Sequence, residues 1–217
     1  IAVVEGDLGA PRLALDAAAF ARLAAEVGVI FHSGAWVNHL FPHAQLQPVN
    51  VGGTQEVIRL AAEGRHKVLH HVSTLVVFPF TDGRYEGQTV TTATALADHA
   101  EPFFSGYAST KREAELLCLQ ARARGVPVTV HRPAQITGNR TSFKNPPGDA
   151  VWRLVSAVLA VHHAPALRGG INLTPVDGVA RAIVALSRND RDGGLTHHLM
   201  APESLSFAAL YDALRAQ

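Results

Sequence analysis

From Ala2 to Val130, short apolar runs rich in β-branched residues alternate with longer helical patterns, and few folds accommodate that order. Adjacent parallel strands need a long crossover, usually a helix, whereas antiparallel strands can be joined by a tight turn. The alternation therefore predicts βαβ units and a mostly parallel sheet. Strands are expected at Ala2–Val4, Val29–Phe31, Lys67–Val72 and Val126–Val130, with helices over Asp16–Glu26, Asn50–Ala62 and Ser105–Arg124. Asn50 or Thr54 is positioned to cap the second of these helices. Beyond Gly138 the regularity breaks. Residues 139–149 are polar and contain Pro146-Pro147-Gly148, so they read as a loop. Helices are expected at Ala150–His163 and Ser204–Gln217, with a strand entering a helix over Gly169–Asp177.

Composition narrows the function classes. Of 217 residues, 47% are apolar and 17% charged, which suits a buried core. The net charge of +1 and the absence of a basic run argue against nucleic acid or an anionic membrane surface as partner. No stretch is apolar for long enough to span a bilayer, and no charged leader precedes an apolar segment. Cys118 is the single cysteine, which excludes an internal disulfide and a thiolate metal cluster, so a reducing cytoplasm is the simplest compartment. The twelve histidines include the neighbours His70-His71, His162-His163 and His197-His198. Adjacent residues of a strand point to opposite faces and cannot chelate together, so no metal is expected.

In an open parallel sheet, ligands bind beyond the carboxyl ends of the strands. Four polar clusters fall at such ends: Asp7-Leu8, His32-Ser33-Gly34-Ala35, Ser73-Thr74 and Arg132-Pro133. Soon after the third comes Gly106-Tyr107-Ala108-Ser109-Thr110-Lys111, at the start of a long amphipathic helix. Tyr107 and Lys111 stand one turn apart on one face. A phenol ionises near pH ~10, and an adjacent cation is expected to lower that value toward working pH, where proton donation is efficient. With the Thr74 hydroxyl, these groups could surround one carbonyl oxygen.

The ordered motifs resemble the extended short-chain dehydrogenase/reductases, and among them the thioester reductase domains of nonribosomal peptide synthetases, polyketide synthases and carboxylic acid reductases. The matching stretches are Gly6-Asp7-Leu8, His32 to Asn38, Asn50-Val51-Gly52-Gly53-Thr54, Val72-Ser73-Thr74, Gly106 to Glu115, Arg132-Pro133 with Gly138, and Asn172 to Asp177. The resemblance implies an α/β fold, a doubly wound Rossmann-type parallel sheet with a small C-terminal substrate-binding subdomain. It divides the chain into a partial NAD(P)-binding part at 1–138 and a mostly substrate-binding part at 139–217, with 171–187 returning to the Rossmann core. It further implies NADPH-dependent reduction, with NADH not excluded, of an acyl or peptidyl thioester held on the phosphopantetheine of a carrier protein within a larger multidomain chain. The product would be an aldehyde or alcohol. Carried over, Thr74, Tyr107 and Lys111 match the catalytic residues. Asp7 and Leu8 match adenine contacts; His32, Gly34 and Ala35 match the loop along ribose and phosphate. Val72 and Ser73 match positions lining the nicotinamide, Pro133 flanks its amide, and Asn38 lies near the cofactor, to which Tyr107 and Lys111 also belong.

The chain departs from the pattern in one respect that bears on chemistry. None of its glycines forms G-x-x-G-x-x-G or G-x-G-x-x-G, the turn that places a pyrophosphate on a helix N-terminus. An N-terminal βαβ unit is therefore expected to precede Ile1, and the chain from Ile1 alone is expected to fold poorly and not hold NADPH. Trp36, Phe103 and Phe104 could line a pantetheine channel or pack in the core. Alternatives from the same superfamily are an acyl-CoA reductase, a sugar-nucleotide epimerase or a hydroxyketone reductase; a dinucleotide-sensing relative without catalysis is a third.

Overall fold

A computed structural model describes residues 1–78, 89–96, 105–146, 148–190 and 192–216. The chain divides into two units, Ile1–Arg132 with Leu186–His198, and Pro133–Ala185 with Leu199–Gln217. The strands are β1 (Val29–His32), β2 (Val68–Val72), β3 (Val128–Pro133), β4 (Gln135–Thr137), β5 (Gly170–Ile171), β6 (Leu173–Pro175), β7 (Thr196–Leu199) and β8 (Leu205–Ser206). The helices are α1 (Ala17–Glu26), α2 (His43–Gln47), α3 (Gly53–Ala62), α4 (Gly106–Ala123), α5 (Ala150–Val161), α6 (Val176–Asn189) and α7 (Phe207–Arg215).

The first unit is built on a parallel four-stranded sheet in the order β1-β2-β3-β7. Val29 pairs with Val68 and Leu69 with Val128, so β1, β2 and β3 end side by side. One sheet face presents Leu69, Val128 and Val130 to Val57 and Ala61 of α3 and to Cys118 and Ala121 of α4, forming the core. Period-two alternation sends their neighbours to the opposite face. There Phe31, His70, His131 and His197 stack in a row, with ring centroids 5.0, 5.5 and 5.4 Å apart. His70 and His71 thus face opposite ways, as strand geometry requires.

Helix α4 begins where Ser105 accepts a hydrogen bond from the Ala108 amide, a cap of the kind that contributes about 1 kcal/mol. The helix before it differs from the sequence expectation. Helical backbone starts at His43, ahead of Asn50, and passes through a π turn at Pro48–Gly52 before α3. Pro48 lacks an amide hydrogen, and the wider turn accommodates the missing donor. Neither Asn50 nor Thr54 is a cap: Thr54 donates back to the Asn50 carbonyl at 2.7 Å. Ala2–Val4 forms no strand and is exposed. Strand β7 escapes the sequence reading because its core, Thr196-His197-His198, carries little apolar signal.

In the second unit, β4 and β6 pair in parallel and β5 and β8 antiparallel. Asp149 caps α5, accepting from the amides of Val151 and Trp152 at 3.0 Å, and Ser206 caps α7. Asn172 ties β5 and β6 to the segment at Ala201, donating to its carbonyl and accepting from its amide, both at 2.9 Å.

Candidate active site

Lys111 lies in the second turn of α4 and is 3% exposed. Its ammonium donates to the Val72 carbonyl at 2.9 Å and stands 3.5 Å from His71 Nε2, at the carboxyl end of β2. Burial pushes its pKa down to about 8, partly offset by the nearby Cys118 and Glu115. Thr74 follows β2 and opens a short helical turn over Leu75–Val77, its Oγ1 accepting from the Val76 amide at 3.3 Å. Its own O–H donates to no protein group among the described residues. Tyr107 lies in the first turn of α4, with its ring edge-on to His39 at 5.3 Å.

Lys111 and Thr74 both lie at the carboxyl end of β2, with Tyr107 one turn earlier on α4, and α4 packs against the turn that Thr74 opens. The structure does not link them to one another: among the described residues, no hydrogen bond joins Tyr107 to Lys111 or Thr74. Nor does the phenol respond to the lysine as the spacing predicts. Burial pushes its pKa up to about 12. Desolvation disfavours the phenolate, and the ammonium is committed to a backbone carbonyl, so burial outweighs the cation here. At neutral pH the phenol is protonated, as a proton donor must be.

The other residues singled out from sequence fall into two groups. Leu8 lies across Gly34 and Gly53: an added Cβ would come within 2.6 Å of the Leu8 side chain at Gly34 and 2.8 Å of its carbonyl at Gly53. Asp7, exposed beside it, accepts from the Gly9 amide at 2.8 Å. Ala35 is half-buried beside Gly34. These residues cluster beyond the ends of the strands. His32, in contrast, turns inward. It is 5% exposed, its Nε2 is 3.0 Å from Thr54 Oγ1, and its ring packs on His71 at 5.3 Å. Burial first, and Lys111 second, lower its pKa to about 4, so it is neutral. Asn38 folds onto its own loop, accepting from the amides of Leu40 and Phe41. Val72 presents its carbonyl to Lys111, while the Ser73 hydroxyl is buried and donates to Glu115 at 2.5 Å. Pro133 ends β3, in the second unit. Trp36 is partly exposed and meets Phe41 edge-on, while Phe103 and Phe104 lie outside the described residues.

Two polar networks support this edge. Asn50 accepts from the Trp36 amide at 2.7 Å and donates to the Trp36 carbonyl and to Thr110 Oγ1, tying the loop after β1 to α4. Glu115, one turn beyond Lys111, is fully buried and accepts from Arg132 and Ser73. In the sequence, Glu115 and Arg132 stand within recognisable motifs but carry no evident role. The signal was present in the spacing, since 107, 111 and 115 recur every four residues. Among the described residues no three His, Cys, Asp or Glu side chains converge as a metal site would require.

A NAD-binding family described as "Male sterility protein" matches residues 1–183. The chain belongs to this family. A component of the linear gramicidin synthase of Brevibacillus parabrevis is 35% identical to this male sterility family member over 211 residues, 97% of this chain and 4% of that protein. Among solved structures, the terminal R domain of the myxalamid PKS-NRPS biosynthetic pathway superposes with a TM-score of 0.91 at 36% identity, covering 98% of this chain and 53% of that one. The reductase domain of a nonribosomal peptide synthetase from Mycobacterium tuberculosis does so at 0.73 and 28%, covering 91% and 50%. The chain thus spans about half the length of these structures and a small part of the curated relative. The fold is that of the extended short-chain dehydrogenase/reductases, as its four-stranded parallel sheet and these matches show.

Male sterility family members bind a nicotinamide dinucleotide, and the donor set at this edge fits one end of such a molecule. A buried ammonium, a protonated phenol and a threonine O–H that donates to no protein group among the described residues are hydrogen-bond donors of the kind that hydroxyl and carbonyl oxygens accept. None of the glycines in this sequence forms the glycine-rich turn that would cradle a pyrophosphate. No helix among the described residues is long and apolar enough to cross a membrane.

Proposed function

We propose that this chain carries the proton-donating part of an NADPH-dependent reductase that releases an acyl or peptidyl thioester from the phosphopantetheine of a carrier protein, as an aldehyde or alcohol. The observation that carries the reading is the Tyr107/Lys111 face of α4 seated at the carboxyl end of β2 beside Thr74, in a chain 36% identical to a terminal R domain. Further support comes from the naming of relatives as aldehyde reductases and of a neighbour of the same fold as a thiolation-reductase di-domain. On this reading residues 1–138 serve the dinucleotide and 139–217 mostly serve the substrate, with 171–187 returning to the Rossmann core. The enzyme works in the cytoplasm, inside a multidomain synthetase.

A nicotinamide dinucleotide bound at this edge would supply the hydride that reduces the thioester. Thr74 donates its O–H to the carbonyl oxygen, and Tyr107 gives that oxygen a proton as negative charge develops there. Lys111, held on Val72, places a donor where a ribose hydroxyl would lie and keeps positive charge near the phenol as it loses its proton. The resulting hemithioacetal then breaks its carbon–sulfur bond, yielding the aldehyde and the carrier thiol. A second hydride and proton would give the alcohol. Asp7, Leu8, His32, Gly34, Ala35, Asn38, Val72, Ser73 and Pro133 complete the cofactor environment in this proposal. His32 acts from beneath, through Thr54 and His71, and Ser73 acts through its backbone.

The test incubates the full-length protein with NADPH and an acyl-pantetheine thioester. Loss of nicotinamide absorbance with appearance of aldehyde or alcohol is expected. Oxidation of NADPH only with acyl-CoA, or turnover only of a nucleotide sugar, would replace the reading by one of the superfamily alternatives. Dinucleotide binding without turnover of any of these would point to a sensor.

A further inference from the structure

The Arg132–Glu115 pair lies outside the proton-donating set, and its geometry calls for its own explanation. Arg132 is 2% and Glu115 0% exposed. Arg132 Nε and Nη2 both donate to Glu115 Oε1, at 2.9 and 2.5 Å, leaving Oε2 for the Ser73 hydroxyl at 2.5 Å. Arg132 is itself held from two further sides, by His198 Nε2 at 3.2 Å and by the Phe78 ring, whose centroid is 4.8 Å away. The Ser73 amide donates to the His131 carbonyl at 2.7 Å, so this serine is fixed at both its backbone and its side chain.

A buried ion pair adds little net stability, because desolvation of both charges offsets their attraction, and apolar groups of equal volume often do as well. What such a pair does supply is direction, since its donors and acceptors bond at only one orientation. Here that direction falls on a particular helix face. Tyr107, Lys111 and Glu115 lie at successive four-residue steps of α4. Lys111 is bonded to the Val72 carbonyl, and Glu115, one turn later, to the side chains of the next strand-end residue, Ser73, and of Arg132 on β3. One attachment alone would let the helix turn about it. Two attachments roughly 6 Å apart along the axis set both its rotation and its height over the sheet.

We propose that Glu115, fixed by Arg132 and Ser73, is a positioning residue that sets where Tyr107 and Lys111 stand at the sheet edge. The inference rests on the reductase reading and adds to it. It gives the Ser73 side chain a different task from the one its strand-end position suggested: the hydroxyl holds a carboxylate. It also makes Glu115, after Cys118, one of the groups that raise the Lys111 pKa against the effect of burial.

The test uses three variants of the full-length protein: Ser73→Ala, Glu115→Gln, and the double variant Glu115→Leu/Arg132→Met. The double variant replaces the pair by apolar groups and stays informative if Glu115→Gln leaves an unpaired buried cation and does not fold. NADPH affinity is measured by fluorescence titration, kcat and KM with the acyl-pantetheine thioester, and the ionisation of Lys111 by competitive acetylation across pH without ligands. For folded variants the expected result is NADPH affinity within about twofold, KM little changed, and kcat lowered about tenfold or more, as small misplacements of reacting groups produce. Lys111 should lose its proton at lower pH in both Glu115 variants. If Ser73→Ala weakens NADPH binding while kcat holds, the hydroxyl is a ligand contact and the proposal fails for it. If the folded double variant keeps kcat and an unshifted Lys111 curve, the pair is only structural and the proposal is overturned. Should the unmodified protein reduce no thioester, the reductase reading fails, and the acetylation curves still decide whether Glu115 governs Lys111.

Discussion

Helix α4 offers two faces built from the same spacing and put to different use. On the inner face Tyr107, Lys111 and Glu115 follow one another every four residues, and the last two are buried. On the outer face Ser109 and Glu113 stand at the same spacing and clasp His43 of α2, through Nδ1 at 2.8 Å and Nε2 at 3.1 Å, with His43 and Glu113 side chains 41% and 45% exposed. Both faces carry a carboxylate bonded to a basic partner. Water screens the outer pair, whose net contribution to stability is of the order of 0–1 kcal/mol. The inner one has no water to fall back on, so its geometry is enforced and its loss is costly. Burial, at the same four-residue period, separates the enforced geometry of the inner face from a screened surface contact.

Several substitutions would break or sharpen this contrast. The largest effect is expected on the inner face at the phenol. Tyr107→Phe should keep NADPH affinity and lose about 10²–10⁴-fold in turnover, the contribution of a positioned general acid. Lys111→Ala should weaken both. Turnover by Tyr107→Phe equal to that of the unmodified protein would remove the proposed mechanism. Arg132→Met alone strands the Glu115 carboxylate in the core and should cost about 3–5 kcal/mol by urea unfolding. In the second unit, Asp177 meets Arg140 and Arg181 at 2.9 and 2.8 Å with both arginines mostly exposed, and Asp177→Asn should leave the urea midpoint nearly unchanged, because water screens the pairs. If the two losses matched, burial would not be the deciding variable.

Acid tests the sheet beneath that face. Burial, and the neighbouring His70 and His197, hold His131 at a pKa of about 4 against the opposing pull of Asp190, and burial with Lys111 does the same for His32. In the unfolded chain both would titrate near ~6.5, so below that pH the unfolded chain binds more protons. Stability should be intact above about pH 6.5 and fall steadily toward pH 4. A urea midpoint unchanged across that range would show that these imidazoles are hydrated. The smallest change is expected for Glu113→Gln on the outer face: stability within about 0.5 kcal/mol and turnover within about twofold.

The parallel architecture was legible because short strand-like runs such as Val68–Val72 and Val128–Val130 alternate with long amphipathic helices, the order of βαβ units. Strand β7 was not, because Thr196-His197-His198-Leu199 holds one aliphatic residue, whereas β2, which also contains two histidines, carries Val68, Leu69 and Val72. The shared helix face of Tyr107 and Lys111 was legible, because spacing alone fixes it. The site was not legible at His32, whose strand-end position is equally compatible with facing a ligand or facing Thr54. Nor was it at Ser73, whose partner is 42 residues away in sequence.

Sequence by itself therefore determined the α/β class, the helix face shared by Tyr107 and Lys111, and the polar clusters at the strand ends. These follow from periodicity, a local property of the chain. Only the tertiary structure decided the sign of the ionisation shifts and the partners of the buried polar groups. The phenol is raised to about 12 and the lysine lowered to about 8 because desolvation acts on each, and desolvation depends on what the rest of the fold places around a side chain.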